Sequence, residues 1–350
     1  MHVAVDAMGG DFAPREVVTG AVRAAADHGV SILLVGDSDR IRRELAEHGD
    51  AGQIEAGGRI ELVHADEVVE MDEAAITPIR RKKKSSIRLC ADLVRDGRAE
   101  AMVSAGNTGA AMIAAKMVIG TIPGVHRPAL AAEFPNPRGR TVVLDVGANV
   151  DTKPSHLREF AVMGHFYAQE VHRIPFPKIG LMSIGEEESK GTDLTREVFR
   201  VLKETGLNFI GNVEGQDAFN GAADVIVCDG FVGNVLLKSA EAVAELIKTM
   251  LREELDKSPL RSLGGWLARP AFDSLSRRTD YREYGAAPLL GLRGGCLVAH
   301  GRSNATAIMN SILRARELAT TDVHGKIRDK VAQLHDEEAR YLGAHEASGS

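Results

Sequence analysis

Apolar residues fall into two alternating rhythms along most of the chain. Short β-rich runs occur at Val3–Ala7, Ile32–Val35, Ile60–His64, Ala101–Ser104, Val142–Val146, Ile179–Ile184, Phe209–Val213 and Val225–Cys228. Between most of them the apolar positions recur with the helical period, as in Leu194, Val198, Val201 and Leu202, at i, i+4, i+7 and i+8. The strand runs are near-continuously apolar, the pattern of strands buried on both faces. Repeated β-α-β of this kind predicts an α/β fold: a mainly parallel sheet with helices on both faces. No internal repeat is visible. Residues 1–340 read as a single domain and 341–350, ending in small polar residues, as a flexible tail.

Parallel sheets of this class bind ligands at the carboxyl ends of their strands, so the strand-exit loops are where chemistry is expected. They are unusual here: Asp6-Ala7-Met8-Gly9-Gly10-Asp11, Ser104-Ala105-Gly106-Asn107-Thr108-Gly109, Asp145-Val146-Gly147-Ala148-Asn149, Gly185 to Thr192, and Asp229-Gly230-Phe231-Val232-Gly233-Asn234. Each joins glycine to Asp, Asn, Ser, Thr or Lys and then enters a helix. Glycine lets backbone N–H groups approach a ligand, and a helix N-terminus favours an anion. Helix capping by the same polar residues is the competing reading for any one loop. Five on one sheet favour an anion site.

Composition and motifs narrow the classes. The chain has 350 residues, 44% hydrophobic and 26% charged, ordinary for a globular protein with ample length for a large core. A formal net charge of −6 argues against nucleic acid as a partner. Cys90, Cys228 and Cys296 have neither metal-type spacing nor a disulfide framework, which points to a reducing compartment. No signal peptide and no apolar run near the ~20 residues of a transmembrane helix is visible, so a cytoplasmic protein is expected, with surface contact to a membrane left open. The G-x-G-x-x-G fingerprint, the P-loop, the G-x-S-x-G elbow and the H-E-x-x-H zinc motif are all absent. An α/β enzyme that binds an anionic substrate without a standard nucleotide motif remains.

The exit loops, together with other stretches, resemble one family: the bacterial phosphate acyltransferases of phospholipid synthesis, the PlsX family. The stretches are "VAVDAMGGD" (3–11), "SAGNTGA" (104–110), "LDVGANVDTKPSHL" (144–157), "GLMSIGEEESKGT" (180–192), "GNVEG" (211–215), "CDGFVGNVLLK" (228–238) and "HGRSNATAI" (300–308). They occur in order across nearly the whole chain. One departure is "YGAAPLLG" (284–291), where the family pattern has a second glycine at Ala286. The resemblance implies transfer of a long-chain fatty acyl group from acyl carrier protein to inorganic phosphate, giving acyl phosphate. It further implies a homodimer, a fold like isocitrate and isopropylmalate dehydrogenases and phosphotransacetylases, peripheral membrane association, and hand-off to a membrane glycerol-phosphate acyltransferase.

For that reaction the nucleophile is phosphate itself, largely a dianion near neutral pH, and the leaving group is a thiolate. The protein has to fix phosphate, align it on the thioester carbonyl and stabilise an oxyanion. Lys190 is the candidate cation in the loop flanked by Gly185 and Gly191; the competing reading pairs it with Glu186 or Glu187 on the surface. Asn234, at a helix start behind Gly230 and Gly233, is the candidate donor to the carbonyl oxygen or phosphate. Gly9, Gly10, Asn107, Thr108, Asn149, Gly191 and Gly233 are candidate phosphate or substrate contacts, with Lys153 a second cation. His156 is a candidate proton donor to the departing sulfur. Ser303 and Asn304 are either caps or substrate contacts. Asp145 and Asp229 are expected to orient neighbours rather than touch phosphate. No cofactor and no metal is assigned, because an isocitrate-type site needs clustered aspartates and these loops are richer in amides.

Two further stretches suggest partners. Residues 260–278, "LRSLGGWLARPAFDSLSRR", carry an apolar stripe and a local charge of +3. Leu263, Trp266, Leu267 and Phe272 are candidate membrane contacts on a protruding segment of about 250–282, with a dimer-packing hairpin the alternative. Gly264, Gly265 and Pro270 are expected to break it into two short helices. Arg80, Arg81, Lys82 and Lys83 offer a basic run for an acidic carrier protein. The rival functions are a phosphotransacetylase using coenzyme A thioesters and a non-catalytic scaffold at a lipid surface.

Overall fold

The computed structural model describes residues 1–48, 58–279 and 285–348. The first half contains β1 (His2–Asp6), α1 (Arg15–His28), β2 (Ser31–Gly36), α2 (Ser38–Ala46), β3 (Ile60–His64), α3 (Ile76–Arg81), α4 (Ser86–Arg95), β4 (Ala101–Ser104) and α5 (Thr108–Ala114). A π turn, Ala115–Ile119, prolongs α5. Then follow β5 (Ala129–Asn136), β6 (Gly139–Leu144), α6 (Pro154–Glu170), β7 (Ile179–Met182), α7 (Asp193–Lys203), β8 (Phe209–Val213), α8 (Asp217–Asn220) and β9 (Val225–Val227). The remainder is α9 (Gly230–Asp256), α10 (Pro259–Thr279), β10 (Ala287–Leu290), β11 (Gly295–Val298), α11 (Ala305–Thr320) and α12 (Val323–Ser348). α12 therefore crosses most of the stretch read as a tail from 341; residues 349 and 350 lie outside the described ones.

Among the described residues the strands form one sheet ordered β3-β2-β1-β4-β11-β10-β5-β6-β9-β7-β8. It is mostly parallel, with helices on both sides, as the apolar runs predict. One core, containing Phe160, Tyr167 and Ile312, lies on one face. A second, containing Cys90, Met102 and Ile226, lies on the other. Three strands escape the sequence reading. β5 is rich in alanine, β10 carries Pro288 and β11 begins at Gly295, all residues with low strand propensity.

These three strands change where the exit loops go. β11 runs parallel to β4, but the pairs β11–β10, β10–β5 and β5–β6 are antiparallel. The β6-β9-β7-β8 half therefore points opposite to the β3-β2-β1-β4-β11 half, and the loops do not leave a single edge. Register brings them together again. Ala131 pairs with Leu144, Leu130 with Leu289 and Pro288 with Leu297, so the end of β6 lies level with the end of β11. The carboxyl ends of the two halves thus meet at the seam. At the seam, Leu289 and Leu290 pair with β5, whereas Ala287 and Pro288 pair with β11. β5 keeps its ladder with β6 through Asn136. Beyond two residue pairs, β10 and β5 part company.

α10 differs from expectation: 259–279 is one helix with Pro270 inside it. Gly265 explains part of this. A Cβ there would sit 3.0 Å from Leu255 Cδ1, so the glycine lets α10 lie close on α9. Near Ala286, the positive φ falls on Gly285 (74°), which leaves the alanine an ordinary conformation.

Candidate active site

Each half of the sheet carries a buried aspartate at a strand exit, and both shape loops. Asp145 is fully buried. Its Oδ1 accepts from the backbone N–H groups of Leu130 (3.0 Å), Gly147 (3.2 Å) and Ala148 (3.0 Å). Its Oδ2 accepts from Asn149 N (2.6 Å) and Asn149 Nδ2 (2.9 Å). Burial pushes its pKa up, and the same hydrogen bonds oppose that shift. In the other half Asp6 Oδ1 accepts from Met8 N (3.2 Å), and Oδ2 from Ser104 Oγ (2.7 Å). Ser104 Oγ in turn accepts from Gly106 N (3.1 Å). Burial raises the Asp6 pKa as well.

The glycines at these exits serve packing between loops. A Cβ on Gly9 would lie 2.6 Å from Asp6 Oδ2 and 2.7 Å from Gly106 N, so two loops press together there. Gly10 has φ 107° and lies against Gly301 O and Ala105. A Cβ on Gly233 would overlap the Asp145 carbonyl oxygen, so the first turn of α9 seats directly on the 145–149 turn. Gly191 has φ 95° and faces Thr195 Oγ1 and Ser183 Oγ.

Several candidate amides have their hydrogen bonds occupied. Asn107 caps α5 through Ala110 N (2.9 Å), and its Nδ2 donates to Met71 O (3.1 Å) and Glu73 O (2.9 Å). Asn149 Nδ2 donates to Pro128 O (2.8 Å) as well as to Asp145. Asp229 caps α9 through Phe231 N and Val232 N, both at 2.9 Å. Asn304 caps α11 through Ala307 N (3.0 Å), and buried Ser303 donates its backbone N–H to His300 O (2.9 Å). These side chains hold loops in place.

Where β10 and β5 separate, a cavity of about 380 Å³ opens. Small side chains form much of its wall: Ala131, Ala132, Ala286, Ala287, Pro288 and Val298. Thr108, Gly147, Asn234, Lys238 and His300 also line it. Exit loops from both halves therefore meet at one opening. A second cavity, again about 380 Å³, adjoins it. Its lining combines Ile76, Met112, Ile113, Met117 and Leu289 with Arg80, Lys116, Arg127 and Asn149. Thr108 and Gly147 line the first cavity while Gly109 and Ala148 line the second, so the 108–109 and 147–148 peptides form a shared wall.

The second cavity is cationic. The Lys116 pKa is lowered by burial and then by the Arg127 charge. That of His156 is lowered by burial, then by Arg127, His126, Lys153 and Lys116. Its Nδ1 accepts from Lys153 N (3.2 Å), which leaves the hydrogen of the neutral ring on Nε2. Next to Lys153 in the chain, Thr152 Oγ1 is buried and has no hydrogen-bond partner among the described residues. Lys116, Arg127 and Thr152 were not singled out from sequence. Lys116 had left a signal, a lone cation within "AMIAAKMVIG" (111–120).

Lys190 stands elsewhere. It is exposed on the loop after β7 and lines neither cavity. Its stem lies along Gly185, and among the described residues it forms no ion pair with Glu186 or Glu187. The basic run is also divided. Lys82 Nζ is held by Glu73 Oε1 (2.5 Å) and Val68 O (2.8 Å), and Lys84 by Asp66 (2.8 Å). Arg80 faces the cationic cavity, while Arg81 and Lys83 face solvent. On the hairpin of α9 and α10, Leu263, Trp266 and Leu267 are 52%, 66% and 67% exposed. Phe272 instead turns into the groove between the two helices. α9 adds Leu246, Ile247 and Met250 to the exposed apolar surface. Among the described residues no helix is long and apolar enough to cross a membrane.

Residues 1–326 match the family described as "Fatty acid synthesis protein". The phosphate acyltransferase of Geobacter sulfurreducens is 51% identical over 331 residues, covering 95% of this chain and 94% of that protein. The chain belongs to the phosphate acyltransferase family. The Pelotomaculum thermopropionicum member is 49% identical over 334 residues, covering 95% of this chain and 96% of its own. As a family member the chain is an acyltransferase. Its fold is similar to that of a phosphotransacetylase from Streptococcus pyogenes, with a TM-score of 0.63, 19% identity and coverage of 91% and 94% of the two chains. A 4-hydroxythreonine-4-phosphate dehydrogenase from Klebsiella pneumoniae has the same kind of fold, with a TM-score of 0.53, 15% identity and coverage of 91% and 99%.

Proposed function

We propose that the enzyme moves a long-chain acyl group from acyl carrier protein to inorganic phosphate, releasing acyl phosphate and the carrier thiol. The observation that carries this reading is the shared wall between a cationic cavity and an apolar opening. Phosphate occupies the cationic side against Lys116 and Arg127, with Thr152 Oγ1 a further donor. The thioester enters the opening, its acyl chain along the alanine-lined wall and its carbonyl toward Asn234 and the N–H groups of the 108–109 and 147–148 turns. A phosphate oxygen attacks the carbonyl carbon, the oxyanion accepts hydrogen bonds from those donors, and the C–S bond breaks as the carbonyl re-forms. Proximity does much of the work, because neither nucleophile nor leaving group needs a strong catalyst. His156, neutral with hydrogen on Nε2, donates toward the departing sulfur. Lys190, on the loop after β7 and outside both cavities, contributes only longer-range positive charge.

The surface features fit the same reading. Arg81 and Lys83 receive the acidic carrier beside the cavity that Arg80 lines. The exposed apolar edge of the α9–α10 hairpin rests on the cytoplasmic leaflet of the cell membrane, where acyl phosphate passes to a membrane acyltransferase acting on glycerol phosphate. The active species is a homodimer. Acyl carrier protein and coenzyme A carrying the same acyl group distinguish the donor. Trapping the product with hydroxylamine should give acyl hydroxamate from the carrier-protein thioester at a kcat/KM at least ~10-fold above that for coenzyme A. Equal or reversed ratios would assign the enzyme to coenzyme A thioesters instead.

A further inference from the structure

We infer that His126, Glu159 and His335 form a binding site for a divalent transition metal of the Zn²⁺ class. One ligand atom from each of the three lies within 4.8 Å of the other two. They come from three separate parts of the fold: the loop after the π turn, helix α6 and helix α12. No spacing motif in the sequence joins them.

Glu159 is only 2% exposed, and its carboxylate is aimed by a backbone contact. Oε2 accepts from His126 N (2.9 Å), which turns Oε1 toward the His126 ring, 2.5 Å from Nδ1. A ligand fixed by a hydrogen bond to its other atom is the usual support around a metal. The His335 ring stands 5.9 Å from that of His126, centroid to centroid. Among the described residues its nitrogens have no hydrogen-bond partner. Gly124 leaves room for it: a Cβ there would come within 3.3 Å of His335 Cε1 and Nδ1.

Two imidazoles and one carboxylate are the donors that Zn²⁺ and its neighbours prefer, and they select against Mg²⁺ and Ca²⁺, which take oxygen shells. Metal–ligand bonds of about 2.0–2.2 Å place adjacent donors of a tetrahedral shell ~3.3 Å apart. The His126–Glu159 contact therefore has to lengthen and the His335 approach to shorten. His126 is 56% exposed on its side chain and free to make that adjustment. Without metal, a proton between His126 Nδ1 and Glu159 Oε1 holds the pair together. Metal binding at Nδ1 moves that hydrogen to Nε2 of the His126 ring and leaves a fourth position for water. The bound ion ties α12 to α6 and the 124–128 loop.

The test uses the full chain without an affinity tag, stripped with a chelator. Calorimetry against Zn²⁺ should give one equivalent per chain, and Zn²⁺ but not Mg²⁺ should raise the Tm. Glu159→Gln and His335→Gln should each lose about 100-fold or more in Zn²⁺ affinity, beyond the effect of losing an outer partner. His126→Gln replaces either variant that circular dichroism finds unfolded. Sub-stoichiometric uptake by the wild type, or folded variants that bind Zn²⁺ as tightly as the wild type, would overturn the assignment.

Discussion

Replacing Asp145 by alanine removes the acceptor for five N–H groups at once: Leu130, Gly147, Ala148 and Asn149 on the backbone, and the Asn149 side chain. A buried donor left without an acceptor costs ~1–3 kcal/mol. Five such losses do not add in full, because the carboxylate leaves space that water can enter. The burial cost of the charge, visible as a raised pKa, is also relieved. The net destabilisation expected for Asp145→Ala is about 3 kcal/mol. With a urea slope of ~3 kcal/mol/M, that lowers the midpoint by on the order of 1 M. Asp145→Asn keeps one oxygen for the three donors on the Oδ1 side but turns an NH₂ group toward Asn149 N and Nδ2. Its expected cost is smaller, ~1–2 kcal/mol, with turnover still reduced because the 145–149 turn forms one wall of both cavities. Urea unfolding followed by far-UV circular dichroism measures the first quantity, and kcat at saturating substrate the second. An Asp145→Ala enzyme within ~0.5 kcal/mol of the wild type would refute the view that this carboxylate organises the turn.

Asn234→Ala should lower kcat by ~10²-fold, the usual cost of one oxyanion donor, with unchanged unfolding; wild-type turnover would remove Asn234 from the reaction. Lys116→Ala should raise the KM for phosphate more strongly than Lys190→Ala, because Lys116 lines the cationic cavity and Lys190 stands outside it; the reverse order would return the main role to Lys190. His172, its pKa lowered from 6.5 to about 4 by burial and then by Arg140, gives a pH signature. Its Nε2 lies 2.9 Å from Glu133 Oε1, but Arg140 and Arg314 also pair with that carboxylate, and the buried ring stays neutral. The unfolded chain takes up the proton first, so this stability is complete above about pH 6.5 and drains as pH falls toward 4, by about 3 kcal/mol in all. Stability measured against pH should slope less in His172→Gln; identical slopes would contradict the assignment. Leu267→Glu should weaken sedimentation with anionic vesicles, whereas equal binding would leave the hairpin to a protein partner.

What the sequence disclosed and what it hid follow from locality. Near-continuous apolar runs such as Ile32–Val35 and Val225–Cys228 became parallel strands, because burial on both faces writes itself into consecutive residues. The exit loops were visible for the same reason: glycine and capping side chains sit together in sequence. The roles of those residues were less legible. Gly9 and Gly233 read as room for a ligand but are filled by other loops, and Asn107 and Asn149 read as ligand donors but bind backbone carbonyls. These contacts are long-range, and no window of sequence contains both partners. The reversal of the sheet at β10 and β5 was hidden by short strands rich in alanine, glycine and proline. Lys116 and Arg127 were missed because neither stands in a glycine-rich strand-exit loop: one is on the π turn after α5 and the other in the loop before β5. Gly264, Gly265 and Pro270 misled in the other direction: they broke the helical pattern on paper, yet α10 is continuous, with Gly265 set against Leu255.

The most direct measurement of the central claim is product formation by the purified enzyme from a long-chain acyl carrier protein thioester and inorganic phosphate, followed by hydroxylamine trapping. The expected result is acyl hydroxamate formed in proportion to carrier thiol released, saturable in phosphate, and strongly reduced by Lys116→Ala. Thiol release without hydroxamate, or hydroxamate formation indifferent to phosphate, would contradict it.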